Sequence, residues 1–216
     1  MDLSTVRITE IFYSLQGEST TAGLPTVFVR LTGCPLRCQY CDTEYAFYGG
    51  ERQQITDVLA EVASHKAVNV CVTGGEPLAQ KSCIPLLIAL CDAGYQVSLE
   101  TAGALSVEHV DSRVVKVLDL KTPGSGEVDK NLYENMRYLN PHDQVKFVIC
   151  GRQDYEWARL KIDELKLTEK VDDILFSPST GQLNPTELAE WILADHLSVR
   201  FQLQLHKLLW NDEPGH

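Results

Sequence analysis

The sequence predicts an α/β fold: a partial, open (β/α) barrel of about six or seven β/α units. Three observations carry that expectation. Strand-like runs, mostly β-branched and apolar on both faces as buried parallel strands are, alternate with helix-like runs along the chain. Polar clusters recur directly after those strands, at the edge where parallel β/α folds carry their sites. The 216 residues also fall short of the ~250 typical of a closed barrel. A doubly wound open sheet fits the same pattern and stands as the alternative.

In chain order the expected strands are TVFVRL (26–31), AVNVCVTGG (67–75), QVSLETAG (96–103), VVKVLDLK (114–121), QVKFVIC (144–150), DDILFSP (172–178) and VRFQLQLH (199–206). Two intervening helices carry clear punctuation. In KSCIPLLIALCDAG, Ile84, Leu87, Ile88 and Cys91 fall on one face and Gly94 follows as a stop. In NPTELAEWILADH, Asn184 caps, Pro185 takes the first helical position, Glu187 stands three after the cap, and Leu188, Trp191 and Ile192 form the stripe. TGGEP, ETAG, DLKTPG, CGR, SPS and LHK then fall at strand ends. Any one of these is an ordinary turn sequence, but together on one edge they point to a site. The organisation expected is a single domain over 1–216, with an N-terminal segment over 1–25, the barrel over 26–206 and a tail over 207–216.

Composition narrows the function classes. Lys+Arg 19 against Asp+Glu 30 gives a net charge of -11, which argues against a nucleic-acid footprint or an anionic membrane surface as partner while leaving room for a small anionic substrate. No segment approaches eighteen consecutive apolar residues, and MDLSTVRITEIF lacks a basic stretch followed by an apolar run, so a cytoplasmic protein is expected. Seven cysteines, an odd number in a chain of this size, fit a reducing compartment better than a disulfide framework.

The informative stretch is CPLRCQYCDTEYAF, residues 34–47, with thiols at Cys34, Cys38 and Cys41. A structural zinc site closes with four protein ligands, and no second Cys or His pair follows. Cys71, Cys83, Cys91 and Cys150 stand singly in apolar runs and read as buried free thiols. Three thiolates can hold three irons of a 4Fe–4S cluster and leave the fourth iron open to an exogenous ligand. With this CxxxCxxC loop after a first strand, Tyr40 before the last cysteine, and GGEP at 74–77, the sequence resembles the radical S-adenosylmethionine superfamily. That resemblance implies a cluster whose open iron chelates the amino and carboxylate groups of S-adenosylmethionine and, once reduced, releases a 5′-deoxyadenosyl radical. It also implies Tyr40 near the adenine and Gly74, Gly75 and Glu76 near the methionyl amino group. Glycine permits close backbone approach, and a carboxylate accepts from an ammonium.

A second layer is narrower. IFYSLQGES (11–19), Arg30 in FVRLTGC, DTEYA, TGGEP, ETAG, DLKTPGSGEVDKN and QLHK resemble the 7-carboxy-7-deazaguanine synthases over nearly the whole chain. The resemblance implies conversion of 6-carboxy-5,6,7,8-tetrahydropterin to 7-carboxy-7-deazaguanine with loss of ammonia, on the route to queuosine and other deazapurines. It implies Leu15, Gln16 and Gly17 at the pterin edge with Glu18 beside them, Arg30 at the substrate carboxylate, and Thr73 and His206 also on substrate. Glu100, Lys121 and Ser177 are implied at the cofactor's ribose and carboxylate, in a region where other members read SPK. Thr43 is implied as a ligand of Mg²⁺, with Asp42 behind it. A homodimer and a flavodoxin-like electron donor follow from the same family. His65, His109, His142, His196 and His216 are read as outside the site, and Trp157 and Trp191 as packing. Two alternatives remain at this point: a glycyl-radical activating enzyme, which shares CxxxCxxC and GGEP but acts on a protein backbone, and a catalytically silent metal-binding module.

Overall fold

Valine, leucine and phenylalanine repeat through the strand sequences. In the folded chain Val27, Val29, Leu31, Val70, Val72, Leu99, Leu118, Phe147 and Phe176 are all fully buried. The computed structural model describes residues 3–211, 213 and 215. Among them one sheet has nine strands: β1 (Thr5–Leu15), β2 (Pro25–Leu31), β3 (Glu51–Gln54), β4 (Asn69–Gly74), β5 (Gln96–Thr101), β6 (Val115–Asp119), β7 (Gln144–Ile149), β8 (Asp173–Pro178) and β9 (Arg200–Phe201). The helices are α1 (Ile55–Ser64), α2 (Cys83–Asp92), α3 (Arg152–Glu164), α4 (Pro185–Ala194) and α5 (Leu205–Trp210).

The strand order is β3-β1-β2-β4-β5-β6-β7-β8-β9. From β2 to β9 every neighbour runs parallel. β1 is antiparallel to β2, and β3 to β1. The parallel strands progress in one direction without reversing, so the doubly wound alternative, which reverses at a switch point, does not apply. With β3 and β9 as free ends the sheet stays open, as the length predicted. The β/α count needs one refinement. Helices α1 to α4 cross over, but β5 to β6 and β6 to β7 are joined by turns and short 3-10 segments among the described residues.

Several expectations are corrected. Two strands escaped the sequence reading. β1, TVRITEIFYSL, pairs with β2, so Thr5–Leu15 of the expected N-terminal segment belong to the sheet. β3, ERQQ, is a polar edge strand with no hydrophobic signature. The expected strand 199–206 shrinks to Arg200–Phe201 because Gln202 turns inward: its amide accepts from Ser19 N at 2.8 Å and donates to Ser19 O at 2.6 Å. The tail boundary at 206/207 falls inside α5. On α2 the buried face is Cys83, Leu86, Leu87 and Leu90, while Ile88 is exposed and Ile84 and Cys91 are half-buried. That helix is apolar nearly all round, so spacing alone does not select its face. Cys150 is half-buried too. α4 matches its punctuation: Asn184 Oδ1 accepts from Thr186 N at 2.9 Å, and Leu188 and Ile192 are buried. Trp157 meets Phe147 edge-on and Trp191 tilts against Tyr155, both as packing.

The loop after β1 positions the site. Residues 16–20 leave the antiparallel edge and cross to the far side of the sheet, where Ser19 meets Gln202, Thr20 N donates to Gln144 Oε1 at 3.0 Å, and Leu205 N donates to Gly17 O at 3.0 Å. The SLQGES segment thereby lies on the side of the N-terminal strand ends, beside Pro25 at the start of β2 and Gln144 at the start of β7, and lines the sheet's inner face from there.

Candidate active site

Between that segment and the C-terminal strand ends lies a cavity of about 530 Å³, within the ~300–1,000 Å³ usual for ligand sites. Leu15, Gln16, Gly17, Glu18, Arg30, Cys34, Cys38, Tyr40, Cys41, Asp42, Thr43, Thr73, Gly74, Gly75, Glu100, Lys121 and His206 all line it. Glu76 and Ser177 do not: both are fully buried behind the wall, and Ser179, two residues past Ser177, lines the cavity in its place. Among the strand-end clusters CGR also turns away, with the Arg152 guanidinium 5.1 Å from the Trp191 ring. None of His65, His109, His142 and His196 lines the cavity; His216 lies outside the described residues.

The thiol loop is held from three sides. Arg37 donates to Cys34 O at 2.9 Å and Leu36 O at 2.5 Å, with its guanidinium 4.2 Å from the Phe47 ring. Gln39 N donates to Ser125 O at 3.0 Å, and Arg37 N to Glu127 Oε1 at 2.6 Å, which ties the loop to DLKTPGSGE. Glu76 N donates to Gly33 O at 2.8 Å, which ties it to GGEP. The Glu76 carboxylate accepts from Thr101 Oγ1, Ala102 N at 2.7 Å and Leu78 N at 3.0 Å, so it braces the ETAG turn from behind the wall. Burial lifts its carboxyl above the ordinary range despite those donors.

Glycine at position 75 is a packing requirement. A Cβ there would stand 2.7 Å from Cys34 Cβ and 2.5 Å from Gly33 O. Gly75→Ala should therefore displace the thiol loop and lower iron content severalfold after anaerobic reconstitution, whereas parental iron content in that variant would contradict the fit.

The three thiols suit a cluster. Among the described residues no three His, Cys, Asp or Glu side chains gather closely enough for a single metal ion, and a cube of irons and sulfides spaces its thiolates more widely than one ion does. Each thiol is half-buried at the cavity. Burial pushes Cys38 up to about 11, with Lys121 pulling the other way, so ligation at neutral pH releases protons.

The inner face of the sheet adds two groups not named from the sequence, Asp119 and Lys146. Lys121 donates to Asp119 Oδ2 at 3.0 Å and sits 5.8 Å from the Tyr40 ring. Burial opposes its charge, but Asp119 and its other anionic neighbours hold its pKa above the ordinary range. Lys146 pairs with Glu18 and lies 3.6 Å from Asp119. Glu18, 7% exposed, also accepts from Gln204 at 2.6 Å. Burial works against its ionisation, yet Lys146 holds the carboxyl below the usual range. A lysine in the run VKFVI, apolar apart from it, was the available signal for this partner.

Glu100 stands on the side expected for substrate. It accepts from Thr73 Oγ1 at 3.0 Å and lies 3.4 Å from Gln16 Nε2, so it joins two residues implied at the pterin. His206, on α5, packs on Gly17 so tightly that a side chain at 17 would strike its ring. Thr43 Oγ1 donates to Asp42 Oδ1 at 2.8 Å, and Lys207 sits 3.0 Å from Asp42 Oδ2. Burial would raise the Asp42 carboxyl, but Lys207 holds it at about 2. The hydroxyl of Thr43 keeps lone pairs for a hard cation.

Comparison with known proteins agrees with this geometry. Residues 28–114 match the model of the radical SAM superfamily. A 7-carboxy-7-deazaguanine synthase of Chlorobaculum tepidum is 46% identical over 96% of this chain and 96% of its own length. One of Koribacter versatilis is 42% identical over 96% and 98%. The crystal structure of QueE from Escherichia coli superposes with a TM-score of 0.73 at 25% identity, over 94% of this chain and 95% of that one. Streptococcus suis SuiB, at 15% identity and a TM-score of 0.59, shares the fold alone. Among the described residues no helix is long and apolar enough to cross a membrane. With the thiol loop, the GGEP turn and the cavity-lining SLQGE segment all included in near full-length similarity, this chain belongs to the 7-carboxy-7-deazaguanine synthase family of radical SAM enzymes.

Proposed function

We infer that the chain converts 6-carboxy-5,6,7,8-tetrahydropterin to 7-carboxy-7-deazaguanine with loss of ammonia. The observation that carries this is the sharing of one cavity by the three thiols, Gly74 and Gly75 of the turn, and the polar set Gln16, Glu18, Arg30 and Glu100. When bound, the 4Fe–4S cluster and S-adenosylmethionine supply the hydrogen-abstracting radical; the protein supplies position and exclusion of water. Gln16, Glu18 and main-chain groups of the loop after β1 read the aminopyrimidinone edge, where paired donors and acceptors are needed. Tyr40, Gly74, Gly75 and Lys121 face the cofactor, with Glu76 supporting the turn from behind. Thr43 offers oxygen to Mg²⁺ shared with substrate. We read the enzyme as a cytoplasmic homodimer served by a flavodoxin-like electron donor.

Arg30 tests the substrate assignment. A permanently charged fork in the cavity suits the 6-carboxylate, and such a charge-assisted pair contributes roughly 1.5–3 kcal/mol, about ten- to hundredfold in binding. Arg30→Ala should keep its cluster and cofactor affinity, bind the carboxypterin that much more weakly, and release more 5′-deoxyadenosine per product. Parental carboxypterin affinity, measured anaerobically, would remove Arg30 from substrate recognition. For the metal, Thr43→Ala should retain the cluster but lose most of any magnesium stimulation; an identical magnesium titration in variant and parent would exclude Thr43 as ligand.

A further inference from the structure

β1 changes face partway along. Upstream, Val6 and Ile8 are buried. Simple alternation would send Glu10 and Phe12 the same way, into the core. The pairing with β2 instead slips between Ile8 and Glu10, so that Ile8 lies opposite Leu31 and Glu10 directly opposite Arg30. A one-residue slip exchanges the two faces of a strand, and bulges beside active sites re-aim side chains in this way. Ile11 consequently packs on the core, while Phe12 reaches the cavity wall and stacks on Phe28, with centroids 4.9 Å apart.

The re-aimed Glu10 meets Arg30. Glu10 Oε1 accepts from Arg30 Nε at 2.7 Å and from the Tyr45 hydroxyl at 2.7 Å. The guanidinium lies 5.5 Å from the Phe12 ring and 5.8 Å from the Tyr45 ring, and the arginine side chain is 14% exposed. A guanidinium has five N–H donors, and Glu10 takes the one on Nε. Of the four on the terminal nitrogens, one on each is available for a two-pronged pair with a carboxylate in the cavity.

From this arrangement we propose that Glu10 and Tyr45 are positioning residues that set the orientation of Arg30 for recognition of the substrate carboxylate. The proposal rests on Arg30 as the carboxylate's partner. Glu10 would act through Arg30 and not on the pterin ring, so its influence should follow the carboxylate. Holding a flexible four-bond side chain in its bound rotamer lowers the ordering cost of binding, which is how a nearby acceptor strengthens recognition without touching the ligand. The opposite possibility is physically definite: as a counter-anion, Glu10 could compete with substrate for the guanidinium.

The test compares the parent with Glu10→Ala, Glu10→Gln and Tyr45→Phe as reconstituted proteins loaded with S-adenosylmethionine. Two ligands are used: 6-carboxytetrahydropterin and tetrahydropterin lacking the carboxylate. Glu10→Ala should weaken binding of the carboxylated ligand about tenfold, equivalent to one lost hydrogen bond to a charged group, and leave the other ligand unchanged. KM should rise more than kcat falls, and 5′-deoxyadenosine per product should increase. Glu10→Gln, which keeps an acceptor for Nε, should recover most of the affinity. Tyr45→Phe should shift it in the same direction by less. Equal weakening of both ligands would mean a general disturbance of the wall, no change would mean that Arg30 orients itself, and tighter carboxypterin binding would mean competition; each overturns the proposal. If the parent does not prefer the carboxylated ligand, the reading of Arg30 itself fails, a result separable from failure of Glu10 alone.

Discussion

A Cys38→Ser chain should hold no intact 4Fe–4S cluster and make no product. The effect is all-or-none because a serine hydroxyl does not replace a thiolate on iron, and two remaining thiols leave two irons without protein ligands. Cys34→Ser and Cys41→Ser should behave alike, since all three thiols stand at one cavity mouth. Cys83→Ser is the control: its sulfur is fully buried on α2 and does not line that cavity. It should retain both iron and turnover. Iron and sulfide analysis with the 5′-deoxyadenosine assay distinguishes them, and full iron content with activity in Cys38→Ser would exclude the loop as the cluster ligand.

The second large effect concerns folding. Lys116 and Asp143 form a pair at 2.8 Å with side chains 2% and 0% exposed. Asp143 also accepts from Lys116 N and Asn140 N, both at 2.7 Å. Asp143→Ala strands a buried ammonium and two N–H donors, which costs about 3–5 kcal/mol. At this chain length each kcal/mol moves the melting midpoint by roughly 2–4 °C, so a fall of roughly 6–20 °C is expected by anaerobic circular dichroism. Combining Lys116→Met with Asp143→Leu should recover the part due to the stranded ammonium, because a buried pair contributes little net stability over apolar residues, while the two N–H donors stay unpaired. A midpoint within 2 °C of the parent for Asp143→Ala alone, a figure of about one kcal/mol at most, would show that the pair does not stabilise the fold.

These two lysines show where sequence reading reaches its end. VKVLD and QVKFVI each place a lysine in a buried strand, which signals a paired charge. Which one faces the cavity depends on strand register and height: Lys116 meets Asp143 away from it, and Lys146 lines it beside Glu18. The cluster loop was legible for the opposite reason, since ligand chemistry requires those thiols at short spacing whatever the surrounding fold. Strand ends were legible as a group, because a parallel sheet gathers them, but not singly. Ser177 and Glu76 stand at strand ends behind the wall, while Asp119 and Ser179 line the cavity. Glu10 was hidden because alternation from Val6 and Ile8 assigns it to the core, and only the bulge against β2 turns it toward Arg30. Residues 202–206, including the start of α5, were read as strand because Phe201, Leu203 and Leu205 alternate with polar residues, of which Gln202 and Gln204 in fact turn their amides to the loop after β1.

The central claim is that one cavity couples cluster-borne radical chemistry to a carboxylated pterin. Its most direct test is an anaerobic incubation of the reconstituted protein with dithionite and S-adenosylmethionine, with and without 6-carboxy-5,6,7,8-tetrahydropterin, followed by mass spectrometry. The account predicts 7-carboxy-7-deazaguanine together with 5′-deoxyadenosine whose release depends on the carboxypterin. Release of 5′-deoxyadenosine at the same rate without the pterin, and no deazaguanine when it is present, would contradict it.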